Sequence, residues 1–233
     1  MKKRKFMSRK DSQRVCPICC SAERGETLHA QQFTLPNNHI LSDKYDVVAC
    51  NQCGFVYADT SSSQAIYDKY YAEMSMYEVS CVSNDNSLYA RRAEWINAFF
   101  SDNNTSFIDV GCGNGRLLME LQKLNYSNLT ALDPSKKCIE VIRNRGINGI
   151  VSSVFNVPKT KHYDCVILSG VLEHIYDVSK VMQTVKMLTK PNGLIFVCVP
   201  DASRYQYHDA VPFDYFNVEH INCLLYTSDA ADE

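Results

Sequence analysis

The chain holds 11 cysteines, and four of them form two Cys-x-x-Cys pairs, Cys16/Cys19 and Cys50/Cys53. Such a pair on a tight turn aims two thiolates at one ion at ~2.3 Å, and two pairs complete the tetrahedron that zinc prefers. Residues 20–49 separate the pairs, a longer interval than the ~15–20 residues of common zinc ribbons. Lengthening a loop adds little closure entropy, so the spacing is tolerable. Gly54 directly after the second pair suits the backbone turn of a zinc knuckle. The matching place after the first pair is Cys20, a spare thiol or an alternative ligand. Four thiolates close the coordination sphere, so Zn2+ here would hold the fold rather than do chemistry. A dithiol redox pair is the competing reading. His29 and His39, inside the long loop, are read as surface residues rather than ligands.

A second concentration of chemistry starts at Phe107-Ile108-Asp109-Val110, an apolar run that leads into Gly111-Cys112-Gly113-Asn114-Gly115 and a helix from Arg116. Glycines let the chain turn sharply and let a ligand approach the backbone, and a helix N-terminus offers free N–H groups. A dinucleotide fingerprint would read G-x-G-x-x-G, but the sixth position here is Arg116. Alone, a short glycine run is also explained by a structural turn. Asp133 ends the next predicted strand, where a carboxylate can accept both hydroxyls of a ribose and would repel a 2′-phosphate. Asp109 stands two residues before the first glycine and is better matched to a cationic group than to a pyrophosphate. Together they point to a ligand with a ribose and a positive centre.

The elements that must position these residues alternate. Strands are expected at 107–110, 129–132, 149–151, 165–168 and 194–199, with helices over 116–124, 136–145 and 178–188. This βαβ order with apolar strands predicts an α/β fold around a parallel sheet covered on both faces. Upstream, Tyr45-Asp46-Val47-Val48-Ala49 alternates, so residues 12–60 are expected to form a small β-rich zinc-knuckle module. A basic tail occupies 1–11 and a linker with a helical connector 61–85. From 87 to 100, Leu88, Trp95, Ile96, Phe99 and Phe100 fall roughly on one helical side. Tyr67, Tyr70, Tyr71 and Tyr77 crowd the connector; they could cover an acceptor, although helical packing accounts for them more simply.

In chain order, Phe107 to Leu118 resembles the first motif of the class I S-adenosylmethionine-dependent methyltransferases. Leu132-Asp133-Pro134-Ser135 resembles their second motif and Tyr163 to Ile175 their fourth-strand motif. Lys190-Pro191-Asn192-Gly193 with the strand after it is similar to their fifth-strand motif. The resemblance implies a Rossmann-like methyltransferase sheet over residues 86–222, seven-stranded in the family and here without its last two strands. It implies S-adenosylmethionine as cofactor, contacted by Asp109, Gly111, Cys112, Gly113, Asp133, Ser153, Val154 and Ser169. In that arrangement Gly111 and Gly113 face the methionyl part, Asp109 lies near its ammonium, Asp133 holds the ribose, and Ser153 with Val154 borders the adenine. The family often carries an acidic residue at the place of Ser153 or Phe155, which this chain lacks.

The cysteine pairs, with Phe216 to Asn222 downstream, are similar to a subgroup of bacterial methyltransferases that act on sugars, surface polysaccharides or other small metabolites, at carbon or oxygen. A small-molecule acceptor is therefore expected. His174 and His220 are the candidate bases, because an imidazole titrates near neutral pH. For His174 the plainer alternative is a packing histidine at a helix start. Glu173 is a further candidate for cofactor or substrate contact. Two other readings stay open: an RNA methyltransferase that holds phosphates through its zinc module, and a non-catalytic scaffold.

Composition narrows these. The 24 Lys+Arg against 26 Asp+Glu give a net charge of −2, which argues against a nucleic-acid partner, although Lys2 to Lys10 concentrates positive charge. No apolar run approaches the ~18 residues of a membrane span, and the basic start leads into Phe6-Met7-Ser8-Arg9 without an apolar signal segment. A cytoplasmic location is expected. Residues 223–233, Cys-Leu-Leu-Tyr-Thr-Ser-Asp-Ala-Ala-Asp-Glu, can be encoded by DNA resembling a transposase-based sequencing adapter. They are read as a non-native tail, with the natural sequence interrupted near Asn222.

Overall fold

The computed structural model describes residues 12–74, 86–202 and 216–224. They fall into two compact units, one drawn from residues 12–63, 173–178, 200–202 and 216–224, the other from residues 64–74, 86–172 and 179–199. The basic tail, Tyr77 and residues 225–233 lie outside the described residues.

In the first unit, β1 (Glu26–Gln32), β2 (Lys44–Ala49) and β3 (Val56–Asp59) pair antiparallel in that order. The alternation read at 45–49 is the reason: Tyr45, Val47 and Val48 are buried while Asp46 and Ala49 are half-buried. Its hydrophobic centre is small, with Cys16, Val48, Cys50 and Tyr57 packed against Phe55. The segment 216–224 extends this sheet, because Ala58 N–H donates to the Ile221 carbonyl at 2.9 Å and Cys223 N–H to the Val56 carbonyl at 3.0 Å. Leu224 offers its carbonyl to Ala202 N–H at 3.0 Å.

In the second unit the expected strands and helices form. After α1 (Gln64–Glu73) and α2 (Ser87–Asn97), the chain runs β4 (Phe107–Val110), α3 (Arg116–Lys123), β5 (Leu129–Asp133), α4 (Lys136–Arg143), β6 (Asn148–Val151) and β7 (Tyr163–Ser169). Along the chain a 3-10 turn (Leu172–His174), α5 (Val178–Leu188) and β8 (Thr189–Cys198) follow, residues 173–178 belonging to the first unit. The sheet is parallel throughout, in the order β6-β5-β4-β7-β8. Every residue of β4 and β5 is buried, as strands covered on both faces require. Phe107, Leu118, Leu121, Ile139, Ile142 and Ile167 are fully buried in one cluster, each side chain contributing ~1.5–3 kcal/mol by leaving water. This is a Rossmann-like α/β sheet whose strand order, not its direction, reverses between β4 and β7, and ligands bind beyond the carboxyl ends of strands at such a switch.

Two local readings change. Lys190 to Gly193, expected ahead of the strand at 194–199, lie inside β8: Tyr163 pairs with Thr189 and Cys165 with Leu194, so the strand bulges between them, with Asn192 at a φ of 62°. Along α2 and the turn that follows it the apolar side divides. Ile96 is buried and Phe100 packs on the core, whereas Trp95 and Phe99 are 60% and 71% exposed. Tyr67 and Tyr70 are buried on α1, in keeping with packing. No helix of the described residues is long and apolar enough to cross a membrane.

Candidate functional site

The four cysteines converge. One sulfur from each of Cys16, Cys19, Cys50 and Cys53 lies within 4.8 Å of the others, with Cys16 Sγ to Cys53 Sγ at 3.6 Å and Cys19 Sγ to Cys50 Sγ at 3.5 Å. Sulfurs at ~2.3 Å from a tetrahedral ion would stand ~3.8 Å apart, so the donor set fits Zn2+. The two turns that present them repeat one design. Cys16 N–H donates to the Ser21 carbonyl and Cys50 N–H to the Phe55 carbonyl, both at 2.9 Å. Cys20 N–H returns to the Cys16 carbonyl and Gly54 N–H to the Cys50 carbonyl, again at 2.9 Å. Cys20 and Gly54 both take a left-handed backbone, with φ of 60° and 74°. Cys20 thus fills the backbone corner of the first knuckle and is outside the thiol cluster. Burial pushes the Cys16 thiol up to about 12. At Cys50 burial also opposes ionisation, but the N–H groups of Cys53 and Gln52 hold it down to about 7.

The glycine loop lies between β4 and α3. Gly111 N–H donates to the Leu132 carbonyl at 2.8 Å, and Gly113 N–H to Asp133 Oδ2 at 2.8 Å. Asp133 Oδ1 accepts from Ser135 N–H at 2.8 Å, so two backbone donors orient this carboxylate beside the loop. A side chain at Gly113 would meet nothing within 4 Å, which leaves the backbone open to an approaching ligand. Gly115 is the N-cap of α3 at a φ of 75°, and a Cβ there would come within 2.8 Å of Ile142. Only glycine suits both demands. Asp109 is buried at the end of β4; burial first, then the Asp133 charge, raises its pKa to about 8, against the pull of Arg92. Cys112 is half-buried beside the loop, its thiol pushed well up by burial and by both carboxylates. A buried carboxylate beside a second one, at an open backbone, is chemically suited to the ribose and positive centre of S-adenosylmethionine.

Ser153 and Val154 follow β6, and Ser152 N–H donates to the Asp133 carbonyl at 3.1 Å. Val154 is buried, and Ser153 Oγ accepts from the Asn156 amide at 3.3 Å. Ser169, at the end of β7, accepts from Arg92 Nη1 at 2.9 Å. Arg92 carries a functional signal the sequence did not reveal: a guanidinium on α2 that bonds Ser169 and electrostatically favours the ionised Asp109.

In the first unit, His174 and His220 stand with ring centroids 4.6 Å apart at 71°. His174 is buried, and burial with the neighbouring His220 drives its pKa down to about 3. Its Nδ1 lies 3.2 Å from the Glu219 carbonyl. Arg14, also missed in the sequence, braces both segments. Its guanidinium donates to the carbonyls of Ile175 at 3.1 Å and Ile221 at 3.0 Å, and to Asn222 Oδ1 at 2.8 Å, and it lies over the Tyr176 ring at 4.6 Å.

The chain is 30% identical over 106 residues to the ubiquinone biosynthesis O-methyltransferase of Rickettsia akari (strain Hartford), covering 43% of this chain and 42% of that one. It is 27% identical over 121 residues to the mitochondrial ubiquinone biosynthesis O-methyltransferase of Dictyostelium discoideum, covering 45% and 38%. The chain thus spans less than half the length of these two relatives. A solved magnesium protoporphyrin IX methyltransferase from Synechocystis PCC 6803 superposes with a TM-score of 0.47 at 16% identity, over 55% of this chain and 73% of that one. The family model described as a methyltransferase domain matches residues 85–231, more than half of the chain, which therefore belongs to that methyltransferase family.

Proposed function

We propose that the protein transfers a methyl group from S-adenosylmethionine to a small hydroxylated acceptor, such as a sugar, a polysaccharide precursor or a related metabolite. The observation that carries this reading is the pair of carboxylates Asp109 and Asp133 at the ends of adjacent strands, flanking an open glycine backbone. The ubiquinone O-methyltransferases among its relatives add support for a small acceptor attacked at oxygen.

When bound, S-adenosylmethionine supplies a methyl group already activated on a sulfonium, so the protein's main task is alignment. Asp133 holds the ribose hydroxyls, Asp109 takes the ammonium, and Arg92 offers its guanidinium to the methionyl carboxylate. Gly111, Cys112 and Gly113 provide the floor, Ser169 fixes Arg92, and Ser153 with Val154 borders the adenine. At neutral pH His174 stays uncharged, and its depressed pKa makes it a weak proton acceptor. The half-buried His220 accepts the acceptor's proton, with His174 setting its orientation. The four cysteines hold a structural Zn2+.

The test is turnover. Purified zinc-loaded protein is incubated with S-adenosylmethionine and panels of nucleotide sugars, free sugars and dihydroxy-aromatic acceptors, and S-adenosylhomocysteine is measured. Release with at least one small acceptor, reduced ~100-fold or more by His220→Ala, is expected. Turnover on RNA alone, or cofactor binding with no turnover on any acceptor, would overturn the reading.

A further inference from the structure

We propose that the three-stranded sheet beside the four cysteines seats the turn that carries His220, so that zinc on those cysteines sets where this histidine stands, with Tyr45 and Arg14 as positioning residues. That His220 accepts a proton rests on the function proposed above; its placement by the sheet does not.

The turn is fastened on both sides of the histidine, and within the first unit. At its start, Gln31 Nε2 on β1 donates to the Phe216 carbonyl at 3.1 Å, and the Tyr45 hydroxyl on β2 donates to the Asn217 carbonyl at 2.6 Å. Asn217 Oδ1 then accepts from the N–H groups of Glu219 and His220 at 2.8 and 2.9 Å, a side chain closing the turn over its own backbone. Holding Asn217 therefore holds the backbone nitrogen of His220. Beyond the histidine, Tyr57 and Asn222 pair as an antiparallel bridge, between the Ala58 and Cys223 N–H bonds that join β3 to this segment. Ile221 N–H donates to the Glu173 carbonyl at 2.8 Å, next to His174.

The same sheet depends on the thiols. Cys16 and Cys50 are buried in its hydrophobic centre with Val48 and Tyr57, and β3 begins at Val56, shortly after Cys53. Arg14 carries the link from the other knuckle, just ahead of Cys16. Its N–H and that of Gln13 donate to Asp59 Oδ1 at 2.8 and 2.7 Å, which ties it to the end of β3. Its guanidinium meets the carbonyls of Ile175 and Ile221, each the immediate neighbour of a histidine. Arg14 is buried, and a planar fork that reaches several fixed acceptors is a role an ammonium does not reproduce. A misplacement of ~1 Å can cost ~100-fold in rate, so loosening the knuckles lowers turnover, while cofactor affinity, which rests on β4 and β5, remains.

The experiment compares the zinc-loaded chain with Tyr45→Phe and Arg14→Lys, read by NMR signals of the His220 ring and amide, by S-adenosylhomocysteine affinity and by turnover. Phenylalanine keeps the ring that packs edge-on against Phe33 and removes only the hydroxyl. Tyr45→Phe should retain zinc and S-adenosylhomocysteine affinity, yet shift the His220 signals and lower kcat ~10-fold with KM little changed. Arg14→Lys should act in the same way, by ~100-fold; if it unfolds the module, Tyr45→Phe decides. After zinc removal, the Ile221 and Cys223 amides should lose exchange protection together with β1–β3, while S-adenosylhomocysteine still binds. Unshifted His220 signals in Tyr45→Phe, or Ile221 and Cys223 amides still protected without zinc, overturn the proposal. Wild-type kcat in Tyr45→Phe beside an inactive His220→Ala overturns it as well. Full turnover by His220→Ala removes the proton-accepting role instead, and shifted His220 signals in Tyr45→Phe then still support the placement.

Discussion

The cysteine module and the glycine loop both use left-handed backbone corners, and they use them in opposite ways. In the knuckles, the corners at Cys20 and Gly54 turn the backbone N–H groups inward onto the same segment, and the thiols of Cys16, Cys19, Cys50 and Cys53 converge on one another. In the glycine loop the backbone is left open at Gly113, and side chains from the strand ends, Asp109 and Asp133, supply the charge. The surroundings differ accordingly. The thiols sit over a small core, whereas the loop is anchored to fully buried β4 and β5. With the zinc proposed above, one site would depend on its ion for cohesion, whereas the other is held by the sheet.

Metal removal should separate the two most sharply. Chelation, or Cys16→Ser, should unfold the cysteine module, because structural zinc in small domains supplies ~10–16 kcal/mol of apparent binding energy. Amide exchange should accelerate across β1–β3 while β4 and β5 stay protected. Equal loss of protection in both units would erase the distinction.

Asp133→Ala should act at the other site alone. It removes the acceptor for Gly113 and Ser135 N–H together with the proposed ribose contact. Hydrogen bonds to a charged group are worth ~1.5–3 kcal/mol, so S-adenosylhomocysteine affinity should fall ~10- to 150-fold while zinc content is unchanged. Cofactor affinity within a factor of two of wild type would contradict the assignment.

The smallest effect belongs to Cys20. A non-glycine residue in the left-handed region costs ~1–2 kcal/mol, and the second knuckle already has glycine at the equivalent corner. Cys20→Gly should raise the stability of zinc-loaded protein by ~1 kcal/mol in denaturant unfolding, with zinc stoichiometry retained. Loss of zinc would show that Cys20 is a ligand after all.

What could be read from the chain alone follows from how local each interaction is. The strands at 107–110 and 129–133 were legible because apolar runs buried on both faces have no other stable place, and Asp109 and Asp133 stood out by their position at strand ends. The pairing of the two knuckles was legible from cysteine spacing. Arg14 was not: its acceptors include the Ile175 carbonyl 161 positions away and the Asn222 side-chain oxygen 208 positions away, and nothing local in the sequence marks either. Arg92 reaches Ser169 across 77 positions, and nothing separates it from neighbouring Arg91 without a helix register. Periodicity over residues 87–100 marks an apolar stripe but not its covered width, and Trp95 and Phe99 on that stripe remain open to solvent.

Asp109 offers the most direct test of the cofactor assignment. Its pKa is raised from 3.8 to about 8, so the folded protein keeps a proton that the unfolded chain loses at lower pH. Stability of the ligand-free protein should therefore decline from this group as pH rises between those two values. A cationic ammonium needs the ionised carboxylate, so ligand binding should expel that proton. We would titrate zinc-loaded protein with S-adenosylmethionine by calorimetry in buffers of different ionisation enthalpy, at pH values below and above 8. The account predicts micromolar binding, with about one proton released below pH 8 and none well above it, and with affinity rising up to that point. Absence of binding by folded, zinc-loaded protein would contradict the account, as would binding with no pH-dependent proton release.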